Sequence, residues 1–393
     1  MTGSQVGAQI YSSLNRLLAF DNQIDEFAFV LNCTYLNSDP VLKPVSSPEL
    51  QIPSNPQEGP ALFLSTTHKL ALAYWALIPL FDYANALFQS LRPSLQQKLS
   101  EFSDDQLKQL NESTRALLLI NADDCSAWNA RHLLHTHSHQ SYFRNELCFI
   151  NLLLTKHPKS GELWSARRRL LFQYLSQLSD NDWMNERLIA LKAVQAYERN
   201  YYAWTHRLWV IEQQLLSENE VDLQKELNEL KDYNSMHISD FSAAWVRFRV
   251  VQMLIDSYNE HSLAESIVLQ QKLKAQFDCQ SCELLKDELV FASDLLKAFP
   301  GHETLWLYRR FISSILFNYT VQHKHCLVQQ LTEDQFSFCA QDELLFAENA
   351  MQRARESKML TDIEAESEKR YAFRHKIYFK HQIATIVRDY SNR

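Results

Sequence analysis

The apolar residues of the first 65 positions follow no single period. Residues 24–36 are apolar and partly alternate with polar residues, which is compatible with a strand or with a buried turn. Residues 37–60 hold six of the ten prolines and many serines, so we expect an extended or mobile linker there. Residues 1–20 are compatible with a short helix. Segment 1–65 is therefore predicted to be a partly irregular N-terminal region with a proline-rich linker.

Helical patterning dominates the remainder, residues 66–393. Residues 66–98 are rich in leucine and aromatic residues and are interpreted as one or two helices. Beyond that stretch only Pro158 and Pro300 occur, each six residues before a tryptophan. Proline ends a helix there at little cost, because it falls between two helices rather than inside one. The predicted fold class is all-α.

Within this helical region a tryptophan is repeatedly followed, three residues later, by an arginine. Two side chains three apart lie on the same face of a helix. The first three tryptophans are 36 and 40 residues apart, which is typical of stacked helix pairs. A further step of 40 residues reaches Ala244 and Arg247, a degenerate copy. The motif residues are Trp128, Arg131, Trp164, Arg167, Trp204, Arg207, Arg247, Trp306 and Arg309.

A glutamate lies 18 residues before four of these positions, namely Glu146, Glu186, Glu226 and Glu288, whereas Leu110 stands before the first. Charges close to the seam between hairpins need opposite partners, because an unpaired buried charge costs on the order of 3–5 kcal/mol. The spacing leaves open whether each pair closes within a hairpin or between neighbours.

The predicted units are arranged as a right-handed superhelical solenoid of α-α hairpins, tetratricopeptide-like and crescent-shaped. An insertion over 259–282 separates the fourth unit from the fifth, and a sixth unit is placed at Tyr371 and Arg374. The units span 104–134, 144–178, 183–216, 223–258, 283–317 and 341–388.

Charge and composition limit the function classes. A net charge of −8 argues against nonspecific nucleic-acid binding. Residues 369–393 carry seven cations and one acid, which favours a solvated helix face over contact with an acidic partner or lipid headgroups. Seven cysteines, an odd number, suggest a reducing compartment and a cytoplasmic location. The apolar run Leu70–Phe81 is too short for a bilayer, which needs about 20 residues.

Two candidate metal-binding clusters are weighed and set aside, so no metal site is predicted. The histidines His132, His135, His137 and His139 lack nearby cysteine or acid at zinc-finger spacing. Cys279 and Cys282 form a single Cys-x-x-Cys pair without a second pair, which favours free thiols.

The turns between paired helices carry a more specific signal. One reads His157-Pro158-Lys159 before Trp164, and the next reads Asn200-Tyr201-Tyr202-Ala203-Trp204. Together with HKLALAYW at 68–75 and PGHETLWLYRRF at 300–311, these strings resemble the alpha-subunit repeat of protein prenyltransferases. The resemblance is stronger to the divergent alpha-like members than to the dedicated farnesyl and Rab enzyme subunits.

This resemblance implies a crescent of helix pairs around a separate beta subunit, shared with Rab geranylgeranyltransferase. Zinc and geranylgeranyl diphosphate are expected in that beta subunit, and no cofactor is expected in this chain. The pair would transfer geranylgeranyl to C-terminal cysteines of protein substrates, including a SNARE that already carries a farnesyl group. This chain would be an alpha-type subunit, inactive alone and without a transmembrane segment.

The resemblance also assigns roles to residues of the turns. Lys159 takes the place of the lysine that points at the diphosphate, where a cation would offset charge on the leaving oxygen. Tyr201 would donate a hydrogen bond to the same group, and Tyr202 is the second substrate-binding candidate. Two positions depart from the family pattern, because Gly161 replaces an aromatic residue and Tyr202 replaces a histidine.

Two other interpretations remain open. The chain would equally suit a helical-repeat scaffold for protein–protein interaction without prenyl transfer. An RNA-processing repeat protein is a third reading, opposed by the acidic balance.

Overall fold

The computed structural model describes eleven stretches of the chain. They are residues 3–21, 23–31, 42–44, 54–55, 59–65, 68–96, 102–137, 141–217, 221–264, 270–322 and 333–391. They divide into two compact units, residues 1–210 and residues 211–393. All described strands precede residue 74, and every described element after that is helical. The all-α prediction for the repeat region is confirmed.

Unit 1 begins with helix α1 (Gly3–Phe20) and a small sheet. The strands are β1 (Glu26–Val30), β2 (Leu42–Pro44), β3 (Ser54–Asn55), β4 (Gly59–Pro60), β5 (Leu62–Ser65) and β6 (Lys69–Ala73). The four-stranded sheet has the order β1-β6-β5-β2, in which β1 and β6 are parallel, and β3 pairs with β4 alone. The strand interpretation of residues 24–36 is thus confirmed for β1.

The helical interpretation of residues 66–98 is wrong at its start. Strand β6 occupies Lys69–Ala73, and α2 (Tyr74–Leu91) follows it directly, then a 3-10 turn (Arg92–Gln96). Leu70 is buried and pairs with Phe27 on one side and Leu64 on the other. A strand covered on both faces reads as a continuous apolar run, and periodicity alone does not separate such a run from a buried helix.

Three helical hairpins complete unit 1. They are α3 (Asp104–Ile120) with α4 (Cys125–His137), α5 (Ser141–Lys156) with α6 (Gly161–Gln173), and α7 (Asp180–Ala196) with α8 (Tyr201–Leu216), whose last turns extend beyond residue 210. Polar caps define the helix starts. Ser103 accepts from the Gln106 amide and closes a capping box, and Ser179 does the same with Asp182. The sheet is tied to the repeats where the Phe27 amide donates to Thr155 Oγ1 at 3.0 Å.

Unit 2 continues the same plan with six helices in its described part. They are α9 (Leu223–Met236), α10 (Phe241–Ala264), α11 (Gln270–Ala298), α12 (Glu303–Gln322), α13 (Glu333–Glu356) and α14 (Asp362–Ser391). The region 259–282, expected as a separate insertion, is largely an extension of α10 and α11, with residues 265–269 outside the described part. Trp306 packs in a core with Leu296, Ala347 and Ala372, which joins three hairpins.

Candidate functional site

The buried seam between α6 and α7 shows how motif arginines are paired. Arg167 donates from Nε and Nη2 to the two carboxylate oxygens of Glu186, both at 2.6 Å. Arg167 belongs to one hairpin and Glu186 to the next, so the pair closes between neighbours. Three other pairs repeat this contact, with Nε–carboxylate distances of 2.7 Å for Arg131–Glu146, 2.8 Å for Arg247–Glu288 and 2.9 Å for Arg309–Glu343.

This arrangement explains why the first unit carries Leu110 in the acid column. The glutamate of each hairpin serves the arginine of the hairpin before it, and the first unit follows no motif arginine. Leu110 is fully buried instead. The motif residues Trp128, Arg131, Glu146, Trp164, Arg167, Glu186, Trp204, Arg207, Glu226, Arg247, Glu288, Trp306 and Arg309 are all buried, which accords with a structural role.

Buried polar contacts saturate each seam carboxylate. His206 Nε2 lies 3.0 Å from Glu186 Oε2, and Tyr308 donates to Glu288. Burial alone would raise the pKa of Glu186, but Arg167 and His206 outweigh it and lower that pKa to about 2. Burial lowers the pKa of His206, so the neutral ring donates its Nε2 hydrogen to the carboxylate.

A phenylalanine column adjoins the acid column and was missed in the sequence. Phe149, Phe291 and Phe346 each follow a seam glutamate by three residues and lie under the guanidinium of Arg131, Arg247 and Arg309, at 4.7, 4.6 and 3.6 Å from the ring centroid. The string Glu-x-x-Phe in three units was the available signal.

The sixth hairpin exists as α13 and α14, but the predicted register at Tyr371 and Arg374 is wrong. Arg374 is exposed and contacts Glu303. His375 contacts Glu343 at 2.9 Å across 32 residues, whereas His206 reaches Glu186 across 20.

A longer turn before α14 explains the difference of 12 residues, since 32 − 20 = 12. It places Phe373 in the tryptophan column and Lys376 in the arginine column. Lys376 accordingly binds Glu348 on the preceding helix, in the column where Arg167 finds Asn151 and Arg309 finds Ser293. The fixed 18-residue spacing failed here because it assumed a constant turn length.

The turns of unit 1 present the candidate chemical residues. Pro158 O accepts hydrogen bonds from Trp164 Nε1 at 2.8 Å and from Asn200 Nδ2 at 2.7 Å. Asn200 Oδ1 also caps α8 by accepting from the Ala203 amide. One hairpin earlier, the same roles fall to the atoms of Ala122, Trp128 and Ser160. These bonds fix the spacing of consecutive turns, and Lys159 and Tyr201 lie directly on them.

The structure leaves the candidate side chains open to solvent. Lys159 is exposed, with Nζ 5.7 Å from the centroid of the Tyr197 ring. Tyr201 is 61% exposed and Tyr202 39%, and their rings meet edge to face at 5.5 Å. An ammonium and a phenol hydroxyl are the donor types that suit an anionic ligand. Their role in chemistry stays a prediction.

The two departures from the family pattern, Gly161 and Tyr202, are coupled in space. A Cβ built at Gly161 would lie 2.9 Å from the ring carbons of Tyr202, closer than such atoms approach. The tyrosine ring therefore occupies the room that a side chain at position 161 would need. One substitution compensates the other.

Arg168 is a cation that sequence reasoning missed at this surface. It is half-buried on α6, and its Nη1 is buried with no hydrogen-bond partner among the described residues. Burial lowers the pKa of Arg168, while the neighbouring Tyr201 opposes that effect. The signal was the Arg167-Arg168 doublet, in which the first arginine closes the seam and the second faces the turn.

The clusters set aside for metal binding give no site in the described part of the chain. Groups of three or more metal-ligating side chains are absent from the residues described. His132 is half-buried, while the side chains of His135 and His137, and residue His139 altogether, fall outside the description. Cys279 and Cys282 lie on α11, with side chains likewise undescribed.

Paired helices locked by interhairpin Arg–Glu contacts define a helical-hairpin repeat protein, and comparison with known proteins specifies which one. The protein prenyltransferase alpha subunit repeat matches residues 143–174, 183–214 and 285–316, which are the second, third and fifth hairpins. The chain belongs to this family.

Three relatives illustrate the range of similarity. Protein prenyltransferase alpha subunit repeat-containing protein 1 of Homo sapiens is 32% identical over 52% of this chain and 58% of its own length. Its counterpart 1-A of Xenopus laevis is 29% identical, covering 67% of each chain. The geranylgeranyl transferase type-2 subunit alpha of Candida albicans is 25% identical over 53% of this chain and 60% of its own. The chain thus spans little more than half of the human relative.

A membrane-spanning helix is not found among the described helices, since none combines the required length and hydropathy.

Proposed function

We propose that this chain is the alpha-like subunit of a heterodimeric protein geranylgeranyltransferase. It would pair with a beta subunit of the Rab type and help transfer geranylgeranyl to C-terminal cysteines of protein substrates, a SNARE among them. The observation that carries the proposal is the pair of solvent-exposed turn residues, Lys159 and Tyr201, held at fixed spacing by the Pro158–Asn200 bond. Similarity to relatives named as alpha subunits of geranylgeranyl transferase type-2 supports it.

The chemistry divides between the two chains. Prenyl transfer releases diphosphate, so a cation at the leaving oxygens stabilises the transition state. Lys159 would supply that charge across the interface, and the Tyr201 hydroxyl would donate a hydrogen bond to the same group. The described residues here offer no three-ligand cluster for zinc, so the proposal assigns the metal to the beta subunit.

Arg168 adds a second positive charge behind Tyr201. Its unpartnered Nη1 and its closeness to the phenol favour an anionic occupant at this surface. Tyr202 would close the side on which Gly161 lies. Its ring fills the place that a side chain at position 161 would take.

Reconstitution tests the proposal directly. We would co-express the chain with a Rab-type beta subunit and, as a matched control, with a farnesyltransferase-type beta subunit. The expected result is a stable complex with the Rab type that transfers labelled geranylgeranyl to a protein bearing C-terminal cysteines. Absence of both complex and transfer would contradict the proposal and leave the interaction scaffold as the better description.

Lys159→Ala is then expected to lower turnover about tenfold to hundredfold without dissociating the complex, because a charge that stabilises the leaving group is lost. Lys108→Ala, an exposed lysine on α3, is the control and should leave turnover unchanged. Size-exclusion chromatography reports the complex and single-turnover transfer reports the chemistry. Equal turnover of the two variants would remove Lys159 from the mechanism.

A further inference from the structure

The hairpin seams of unit 2 follow one rule. The second helix of a hairpin packs against both helices of the next, so that α10 contacts α11 and α12, and α12 contacts α13 and α14. On α12 this contact buries Trp306, Arg309 and Ser313. The next hairpin supplies Glu343 to Arg309, with Phe346 beneath the guanidinium.

Helix α14 is the second helix of the last described hairpin. With Phe373 in the tryptophan column, its corresponding positions are Lys376, Ile377 and Lys380. Phe373 is 55% exposed and Ile377 51%, and Lys380 is also exposed. The surface that α13 and α14 cover on α12 is therefore uncovered on α14.

The uncovered surface keeps half of a seam. Arg309 contacts Ser293 within its own hairpin and Glu343 in the next. Lys376 keeps the first kind of contact, to Glu348, and remains partly accessible at 22% of its side chain. Residues 370–380 contain four cations and no carboxylate, which is the charge that a seam glutamate requires.

We propose that the end face, defined as Arg370, Phe373, Lys376, Ile377 and Lys380, docks an acidic amphipathic helix of a partner protein. That helix would occupy the place of the first helix of a following hairpin. It would carry a glutamate toward Lys376 and an aromatic residue three positions later, as α11 and α13 do. This docking does not depend on prenyl transfer.

Charge favours this occupant over two others. A second copy docked face to face would bring Arg370 and Lys380 against like charges, which is unfavourable at close range. A lipid surface requires a broad apolar face, whereas Phe373 and Ile377 span a single helical turn bordered by cations. A carboxylate-bearing helix satisfies both the apolar and the charged positions.

A peptide of this chain's own sequence serves as the probe. Residues 333–356, the α13 segment, carry Glu343 and Phe346 and have a formal balance of six acids to two arginines. Fluorescence anisotropy would measure binding of the labelled peptide to the full chain and to variants checked for unchanged thermal unfolding. The unaltered chain should bind saturably, and Phe373→Asp should weaken binding at least about tenfold.

Matched substitutions separate seam-like docking from simple stickiness. Met236→Asp, at another exposed apolar residue of unit 2, should leave binding unchanged. Lys376→Glu should weaken binding, and a peptide with Glu343→Lys should restore it to that variant. No saturable binding, or equal binding to the Phe373→Asp chain, would overturn the proposal. So would self-association or binding to phosphatidylserine vesicles that Phe373→Asp abolishes, since either assigns the face to another occupant.

Discussion

The seam at Arg167 and the turn at Lys159 lie eight residues apart in sequence and use similar side chains in opposite ways. Arg167 is 1% exposed, with both carboxylate oxygens of Glu186 and Asn151 bound to it. Lys159 and Tyr201 are exposed on a turn whose backbone is fixed by neighbouring hydrogen bonds. Seam charges are consumed by the fold, whereas turn charges remain available to a ligand.

The largest expected effect comes from breaking the seam. Arg167→Ala leaves Glu186 buried without its guanidinium and should lower the free energy of unfolding by about 3–5 kcal/mol. Urea denaturation followed by circular dichroism measures it. Arg169→Ala, exposed on the same helix, is the control and should cost less than about 0.5 kcal/mol. Equal losses in the two variants would mean that the seam pair does not stabilise the protein.

Acid should weaken the same seam. The pKa of Glu186 is lowered from 4.5 to about 2, so its ionised form stabilises the folded state above pH 4.5. That contribution, roughly 3 kcal/mol, is lost as the pH falls from about 4.5 toward 2. The cost of Glu186→Gln should therefore shrink between pH 6 and pH 3.5 in denaturant titrations. A cost that is independent of pH would show that ionisation of Glu186 is not what the seam requires.

On the turn side, the Gly161–Tyr202 contact should give a smaller, coupled effect. Alanine at position 161 favours helix by about 1 kcal/mol over glycine but meets the Tyr202 ring. Gly161→Ala should therefore be more favourable by about 1 kcal/mol in a Tyr202→Ala background than in the unaltered chain. A double-mutant cycle from thermal or urea unfolding gives the coupling. Additive effects would mean that the two substitutions arose independently of each other.

Much of the seam was legible in the sequence because it repeats. Trp164, Arg167 and Glu186 recur at fixed offsets, and burial of a charge demands a partner, so the pairing followed from spacing and electrostatics. Direction did not follow, because an offset along the chain does not distinguish contact within a hairpin from contact across two. Glu343 and Lys376 escaped detection because the turn before α14 is longer.

The turn site was less predictable for a physical reason. Lys159 and Tyr201 were found by resemblance, since an exposed turn has no periodic packing constraint that would single them out. Arg168 was missed because its role depends on which face of α6 points to the turn. Strand β6 was misread as helix because both of its faces are buried, which removes the alternation that marks a strand.

The smallest effect concerns a buried carboxylate that lacks a guanidinium. Glu368 accepts from Trp306 Nε1 at 3.0 Å and from the Gly301 amide at 2.7 Å, and burial raises its pKa. A raised pKa means that ionisation above pH 4.5 costs stability, the reverse of Glu186. Glu368→Gln keeps an oxygen acceptor without the charge, so it should stabilise the protein slightly at pH 7 and have less effect at pH 4. Melting temperatures at the two pH values test this, with Glu366→Gln on the exposed face of α14 as the control. Destabilisation at pH 7 would show that Glu368 needs its charge, and that the two seam carboxylates behave alike.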